Sequence, residues 1–231
     1  MSDKEYFAAP FKPWDMLRSI HYDSVFYQNN PDYFEPTGIW IFCGAQGSGK
    51  TLSAVRTLKK MLAAWPKAIV CSNIPLSGID REIIPFTDYD QLLKLSNGIN
   101  GIIFLIDEIH VLWNSLESKN IPISEMAVFC QMRKERRVII GTSQVYSRIA
   151  KPIREQLKYV ILCRNVLKYI QINTVIDPNA EGYTGEKDGE LEGVQIKKTV
   201  FFHSPEDYSS YSTLTKVQRF SRLSDKKGVK K

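Results

Sequence analysis

The chain contains 231 residues, of which 43% are hydrophobic and 24% are charged, and its formal net charge is +6. This length suits one substantial α/β domain that buries its core without disulfides, and the four cysteines are too far apart to form a disulfide framework or the C-x-x-C pair of a zinc site. No signal-peptide pattern opens the sequence, and no apolar run approaches the ~18 residues of a membrane-spanning helix, so we expect a cytoplasmic protein.

Positive charge is concentrated near the C-terminus. Val217–Lys231 contains six basic residues against one acidic residue, a net charge of +5, which leaves +1 for the other residues. A basic segment with few apolar residues is typical of a disordered tail. Two interpretations stay open for it: contact with nucleic-acid phosphates or an acidic partner, or a role in solubility alone.

Residues 1–36 are rich in aromatic residues and contain several prolines. This segment is too apolar for a free linker, so we predict an arm that packs on the core or on a neighbouring subunit. From residue 37 onward, apolar runs of strand length alternate with helical periods, which predicts a mostly parallel sheet flanked by helices. The predicted strands are 39–43, 68–72, 102–106, 138–142 and 158–163, and the predicted helices are 50–64, 88–95, 124–134 and 149–155.

The pattern changes after residue 164. Leu167–Ile176 and Val194–Phe202 both have extended character, and the residues between them, 177–193, are rich in Gly, Asp and Glu and predict a flexible loop. Two strands flanking one loop predict an antiparallel hairpin that extends the sheet. The predicted organisation is an arm at 1–36, a core at 37–176, a loop at 177–193, a strand and helix completing the domain at 194–216, and a basic tail at 217–231.

A phosphate-binding motif lies between the first predicted strand and the first predicted helix. It fits G-x-x-x-x-G-K-[ST] at every fixed position and in the strand–loop–helix context that the motif requires. Its glycines let backbone N–H groups close around phosphate oxygens at a helix N-terminus. We expect Lys50 to reach the β- and γ-phosphates of ATP, and Thr51 to bind Mg²⁺. The predicted nucleotide-binding residues are Gly44, Ala45, Gln46, Gly47, Ser48, Gly49, Lys50, Thr51 and Leu52.

Two carboxylates, Asp107 and Glu108, follow the apolar run Ile102–Ile106. The carboxyl ends of parallel strands face the ligand crevice, so both acids are expected beside the phosphates. We predict that Asp107 binds Mg²⁺ and that Glu108 polarises the attacking water. The alternative, an acidic cap on a following helix, is weakened by the position of the pair about fifty residues after the phosphate loop.

Two further segments have open interpretations. The apolar run Val138–Ile140 is followed by Gly141–Gln144, and Ser143 or Gln144 would touch the γ-phosphate or the attacking water if this strand lies beside the phosphate-loop strand. An ordinary strand-end turn is the alternative. The basic segment Arg133–Arg137 suggests an arginine that stabilises phosphoryl charge in a neighbouring subunit, or a solvated helix face. We interpret His110 as structural rather than as a metal ligand.

Together, these motifs resemble the zonula occludens toxin family, the assembly ATPases of filamentous phages, within the wider FtsK–HerA group of genome-packaging and DNA-transfer ATPases. The resemblance covers about residues 38–176, in the order and spacing of motifs. It implies a RecA-like or FtsK–HerA-like P-loop NTPase fold with a C-terminal antiparallel β extension. It also implies that Gln144 is a polar sensor, and that Arg133 or Arg137 acts on the neighbouring subunit's site in a ring, which we expect to be hexameric.

Two departures from the filamentous-phage members bear on function: a membrane segment after the ATPase domain is missing from the sequence, and the aromatic arm is additional. Both favour an ATP- and Mg²⁺-dependent motor that moves DNA in virus assembly, located in the host cytoplasm, on the virion or peripherally at a membrane. Assembly or secretion through a capsid or membrane partner, conjugative DNA transfer, and a nucleotide-dependent switch or scaffold are the alternatives. A small-molecule kinase is disfavoured because its arginine-rich lid is missing.

Overall fold

The computed structural model describes residues 12–116, 123–178, 185–187, 190–192 and 194–211, and the chain divides into two compact units at 1–33 and 34–231. The predicted basic tail, 217–231, lies outside the described residues. In the part of the chain that is described, no helix is both long enough and apolar enough to cross a membrane.

The first unit contains a helix, α1 (Pro13–Asn29), where the sequence predicted only an aromatic arm. Pro13 does not interrupt this helix, because proline is tolerated in the first helical turn, where its missing N–H has no helical partner. The Phe26, Tyr27 and Tyr33 rings pack edge to face, with centroids 4.8–6.0 Å apart. Packing of this arm on the core or on a second subunit stays a prediction.

The second unit alternates strands with helices and 3-10 turns, as the hydrophobic periods predicted. Its elements are β1 (Gly38–Cys43), α2 (Lys50–Ala64), β2 (Ile69–Ser72), β3 (Ile83–Pro85), α3 (Asp90–Lys94), β4 (Ile102–Ile106), α4 (Ile123–Gln131), β5 (Arg137–Ser143), α5 (Lys151–Arg154), β6 (Leu157–Val166), β7 (Ile170–Asp177), β8 (Gly185–Lys187), β9 (Glu190–Glu192), β10 (Val194–Phe202) and α6 (Pro205–Ser209).

One eight-stranded sheet organises this unit, in the order β10-β7-β6-β1-β5-β4-β2-β3. The six strands from β6 to β3 are parallel, while β7 and β10 run antiparallel and extend the sheet beyond β6. The predicted fold class, a mostly parallel sheet with helices and a C-terminal antiparallel extension, is confirmed. Of the two outer strands on the other side, β3 was not predicted, because its three residues give too short a pattern.

The core has two layers, one on each face of the sheet. Ala54, Val55 and Leu58 of α2 pack on one face, and Trp113 and Phe129 belong to the layer on the other. Every residue of β4 is buried, which explains why its sequence is continuously apolar rather than alternating.

The elements differ from the predictions mainly at their ends. Helix α4 ends at Gln131 rather than at residue 134, because the chain turns back into β5 through Arg136, whose φ is +51°. Helices α3 and α5 are also shorter than predicted. Within the range predicted as a flexible loop, β8 and β9 form a short antiparallel pair; the described residues of this range therefore include a hairpin.

The register of the central strands brings three chain segments to one edge of the sheet. Cys43 pairs with Ser143 across β1 and β5, and Ile106 pairs with Gly141 across β4 and β5. Because these strands are parallel, the residues that follow each of them meet at the same edge. This edge therefore brings together the phosphate loop, the two carboxylates and the polar end of β5.

One packing constraint beneath β4 is directly testable. Gly101 has φ +73°, and a Cβ there would lie 2.2 Å from ring atoms of Phe34, which is fully buried. We expect Gly101→Ala to lower the free energy of unfolding by about 2–4 kcal/mol, measured by denaturant titration. Gly98→Ala is the control, since Gly98 has φ +56° but nothing within 4 Å, so only the backbone cost of about 1 kcal/mol is expected. Equal losses in the two variants would contradict the steric explanation.

Candidate active site

The phosphate-binding motif forms the connection between β1 and α2. Gly47 and Gly49 have φ values of +77° and +81°, which side-chain-bearing residues rarely adopt, and Gly49 is the N-cap of α2. No side chain caps this helix start, so its first N–H groups are left for a ligand. The Lys50 ammonium folds back across the loop and donates to the Ala45 carbonyl at 3.0 Å. The loop therefore has the form of an anion-binding cradle.

Asp107 links the phosphate loop to the two neighbouring strands. Its Oδ1 accepts hydrogen bonds from the Thr51 hydroxyl at 2.9 Å and from the Thr142 hydroxyl at 2.7 Å. Thr142 is fully buried near the end of β5, and its hydroxyl oxygen also accepts from the Glu108 backbone N–H at 2.9 Å. These bonds fix the position of the carboxylate relative to the first helical residues of α2.

Thr51 and Asp107 meet the requirements of a Mg²⁺ site in their chemistry and spacing. Mg²⁺ prefers hard oxygen ligands, and adjacent oxygens of an octahedral site with ~2.1 Å bonds lie about 3 Å apart. The Thr51 and Asp107 oxygens are 2.9 Å apart. No cluster of three or more His, Cys, Asp or Glu residues occurs in the described part of the chain, so the protein offers a partial ligand set of the kind that Mg²⁺ completes with water and phosphate.

Asn73, the residue after β2, orients the Asp107 backbone. Its Nδ2 donates to the Asp107 carbonyl at 2.9 Å, and its Oδ1 accepts from the Asp107 N–H at 2.8 Å. This reciprocal pair satisfies both backbone groups of a residue that has just left the sheet, where the strand ladder no longer pairs them. Asn73 thus holds the strand end from which both carboxylates project.

Glu108 has φ +54°, a conformation that is uncommon for a residue with a side chain. Its Oε1 lies 3.4 Å from the Gln144 Nε2, and its Oε2 lies 3.2 Å from the Nδ1 of His110. Oε2 is nevertheless buried without an aligned hydrogen-bond donor. Left-handed backbone at a buried carboxylate is the kind of local strain that concentrates at functional sites.

His110 contacts the carboxylate that the sequence predicted to polarise water. Its Nδ1 also lies 3.3 Å from the Ser143 hydroxyl, so the imidazole bridges the ends of β4 and β5. Burial lowers the pKa of His110, the Arg148 and Lys50 cations lower it further, and Glu108 opposes them. The neutral imidazole is therefore favoured, as suits a residue that packs against Glu108.

Gln144 lies where the conditional prediction required. Strand β5 pairs with β1 on one side and with β4 on the other, so Gln144 follows a strand that separates the phosphate loop from the acidic pair. Its amide reaches Glu108, as described above. A cleft of about 770 Å³ adjoins the loop at Gly44 and Ala45, and Gln144, Arg164 and Lys198 are among its lining residues. The cleft therefore joins the phosphate loop to the polar end of β5.

The two candidate arginines lie at the opposite end of β5 and differ from each other. Arg137 is buried, and its guanidinium donates to the carbonyls of Leu92 and Leu93 at 2.6 and 3.2 Å. Its hydrogen bonds are committed within its own chain, which argues against a role at a neighbouring site. Arg133 is exposed in the turn after α4. The structure brings neither residue to the phosphate loop of its own chain.

Sequence reasoning missed four polar residues that contact the predicted site. Asn73 and Thr142 end neighbouring strands, so the rule that located Asp107 would have located them as well. Gln171 and His203 belong to the C-terminal hairpin and reach the phosphate loop from the far side of β6. A polar residue at an inward position of a strand was the only signal for Gln171.

Comparison with known proteins identifies the fold. No family model and no curated protein matches the chain. The N-terminal domain of the zonular occludens toxin from Neisseria meningitidis is similar in structure, with a TM-score of 0.54, 14% identity, and coverage of 77% of this chain and 100% of that chain.

Two other solved structures give lower TM-scores. The genome packaging NTPase B204 from Sulfolobus turreted icosahedral virus 2 has a TM-score of 0.49 at 13% identity, over 74% of this chain and 98% of that chain. The ATPase domain of a helicase has a TM-score of 0.49 at 12% identity, over 90% of this chain and 100% of that chain. At these identities only the fold is comparable. The chain thus has a P-loop NTPase fold like that of the zonular occludens toxin domain, as the motif order predicted.

Proposed function

We propose that this protein binds ATP with Mg²⁺ and hydrolyses it. The observation that carries the proposal is the convergence of Thr51, Asp107, Glu108 and Gln144 beside a glycine-rich loop at one sheet edge. Phosphate binding alone would need only the loop. A carboxylate paired with the loop threonine and a second carboxylate facing a polar amide are the groups that metal binding and water activation require.

Each residue has a role in this proposal. The backbone N–H groups of Gly44–Leu52 would surround the phosphates, and the Lys50 ammonium would leave the Ala45 carbonyl for the β- and γ-phosphate oxygens. Thr51 and Asp107 would hold Mg²⁺, which when bound neutralises charge on the phosphate oxygens. Water excluded from this partly buried edge would strengthen these interactions.

Glu108 would accept a proton from the attacking water, and Gln144 would orient that water toward the γ-phosphate. The 3.4 Å spacing between their side chains supports a shared task. Proton acceptance of this kind contributes ~10²–10⁴-fold to a rate. Gln144 is uncharged, so its contribution would be positional, as for the glutamine that orients water in other nucleotide hydrolases.

Two substitutions separate binding from hydrolysis. We expect Glu108→Gln to lower kcat at least ~10²-fold while the Kd for ATP changes little, because the amide keeps the shape but accepts no proton. Lys50→Ala should abolish binding of ATP, measured by calorimetry with Mg²⁺. Unchanged turnover in Glu108→Gln would remove Glu108 from the reaction, and absence of any triphosphate binding by the folded wild-type protein would refute the proposal as a whole.

We further propose that the protein works as a ring, expected to be hexameric, in which Arg133 contacts the phosphates bound by a neighbouring subunit. Arg133 is the better candidate of the two arginines, because it is exposed whereas the Arg137 guanidinium is bonded within its own chain. An arginine can stabilise phosphoryl charge from across an interface, and its planar guanidinium suits bidentate contact with phosphate oxygens.

Mixing inactive variants tests this assignment. An Arg133→Ala subunit keeps its own phosphate loop, and a Lys50→Ala subunit keeps its arginine, so an equal mixture should recover about a quarter of the wild-type ATPase rate. Arg137→Ala is the control, and we expect it to lower the thermal unfolding temperature instead, because it leaves two carbonyls without their donor. Failure of every Arg133→Ala mixture to regain activity would refute the contact across subunits.

The work that hydrolysis drives is proposed to be DNA translocation, most specifically genome packaging in virus assembly. The order of motifs supports this, since it resembles the FtsK–HerA group, and the +5 charge of Val217–Lys231 would suit DNA phosphates. An assembly ATPase acting through a membrane or capsid partner is the second candidate, and similarity to the zonular occludens toxin domain in fold keeps it open.

DNA dependence distinguishes these two functions. A DNA motor should hydrolyse ATP several-fold faster when DNA is added at low salt, and should displace a third strand from a DNA triplex only while ATP is hydrolysed. The Glu108→Gln variant serves as the control, since it should bind DNA and ATP without displacement. ATP turnover that ignores DNA, with no strand displaced, would contradict translocation and favour the partner-dependent function. A switch without hydrolysis is disfavoured because it gives Glu108 no task.

A further inference from the structure

Gln171 reaches the phosphate loop from outside the predicted motif. It lies on β7, two strands away from β1, and its side chain is fully buried. Its Nε2 donates to the Ser48 carbonyl at 3.0 Å. A Cβ added at Gly49 would lie 2.0 Å from its Oε1, so the glycine is required where Gln171 approaches the loop. The amide group of Gln171 therefore packs directly against the Ser48–Gly49 peptide.

The hydrogen-bonding capacity of Gln171 is fully used. Its second Nε2 hydrogen goes to the Asn173 Oδ1 at 2.9 Å, and that oxygen also accepts from the Ser53 hydroxyl, in the first turns of α2, at 3.2 Å. Its Oε1 lies 3.2 Å from the His203 Nε2. A buried amide costs free energy unless each of its groups is paired, so this arrangement fixes both the position and the orientation of the side chain.

His203 holds Gln171 from the other side. Since Oε1 can only accept, the His203 Nε2 must carry the hydrogen, and its Nδ1 then accepts from the Tyr208 hydroxyl at 2.7 Å. Burial lowers the pKa of His203, which favours this neutral form. Helix α6, which carries Tyr208, is joined to α2 by the Arg56–Asp207 ion pair at 2.8 Å. The hairpin and α6 thus form a support around the first turns of α2.

The planarity of the peptide bond gives this support a consequence for ligand binding. In a trans peptide the C=O and the following N–H point in opposite directions. When Gln171 holds the Ser48 carbonyl toward β7, the Gly49 N–H is directed away from β7, toward the interior of the phosphate loop. The loop has little else to fix this peptide, because Gly49 is the residue with the widest backbone freedom.

We propose that Gln171 is a positioning residue for the nucleotide site, which aims the Gly49 N–H at the bound phosphates by holding the Ser48 carbonyl. This inference rests on the proposed ATP binding. It makes the antiparallel extension part of the phosphate-binding apparatus. The ligand it serves is the triphosphate group, not the base, so affinity for inorganic tripolyphosphate should depend on Gln171 as affinity for ATP does.

Two substitutions of Gln171 test the proposal against a simple packing role. Gln171→Met keeps the volume and removes every hydrogen bond, whereas Gln171→Glu keeps an acceptor for His203 and loses the donor to Ser48. Asn173→Leu is the matched control, since it disturbs the same buried layer of β7 but removes no hydrogen bond to the phosphate-loop backbone. Each protein is compared with the wild type in its Kd for ATP and tripolyphosphate, its kcat at saturation and its thermal unfolding temperature.

We expect both Gln171 variants to bind ATP and tripolyphosphate about tenfold more weakly, the worth of one well-placed hydrogen bond, with kcat within about threefold of wild type. Gln171→Glu should be the weaker binder, because it adds negative charge beside the phosphates. Backbone hydrogen exchange in the nucleotide-free phosphate loop should also be faster in Gln171→Met. Asn173→Leu should lose stability but keep its Kd within about threefold of wild type.

Two results would overturn the assignment. One is a Kd within about twofold of wild type for Gln171→Met together with unchanged hydrogen exchange in the loop. The other is an equal loss of affinity in Asn173→Leu, which would reduce Gln171 to general packing. These results differ from failure of the proposed function, in which the wild-type protein itself would bind neither ATP nor tripolyphosphate and Lys50→Ala would change nothing.

Discussion

The site depends on the contact between the Asp107 carboxylate and two hydroxyls from different parts of the chain. Thr51 comes from the start of α2 and Thr142 from β5, and both bond the same carboxylate oxygen. This contact is available only because β1, β5 and β4 are parallel neighbours in register, so their carboxyl ends meet at one edge. An antiparallel β4 would deliver Asp107 to the far edge of the sheet. Strand direction therefore comes before any side-chain chemistry here.

Buried polar groups connect this edge to its surroundings, and nearly all of them are paired. Asn73 satisfies the backbone of Asp107, Thr142 accepts from Glu108, and Gln171 fills its capacity between Ser48, Asn173 and His203. Pairing of this kind removes the desolvation penalty that an unpaired buried group would carry, and it specifies one arrangement. Oε2 of Glu108 differs, since it is buried without an aligned donor at the position where the proposal needs a free proton acceptor. Elsewhere in this network the side chains serve to hold the loop and the carboxylates still.

The basic segment Arg133–Arg137 shows how far local sequence can mislead. Five residues with four positive charges predicted a shared surface, yet the guanidinium of Arg137 is buried and bonds two carbonyls of α3. Arg137 begins a central strand, so its stem enters the core while its charged end finds acceptors there. Arg133, four residues earlier, precedes the turn and stays exposed. Charge alone could not separate these two environments.

The sequence by itself determined the parts whose evidence is local. The eight residues of the phosphate motif are contiguous, Asp107 and Glu108 follow an unbroken apolar strand, and the alternation of periods fixed the class of sheet. It did not determine α1, the pair β8–β9 or the helix ends, where aromatic, short or polar patterns are shared by several local structures. Only the tertiary structure decided that Asn73, Thr142 and Gln171 belong to the site, because their contacts join residues 34, 35 and 123 positions apart. Contacts across such separations follow from strand order and register, which arise from the packing of the whole sheet rather than from any one segment.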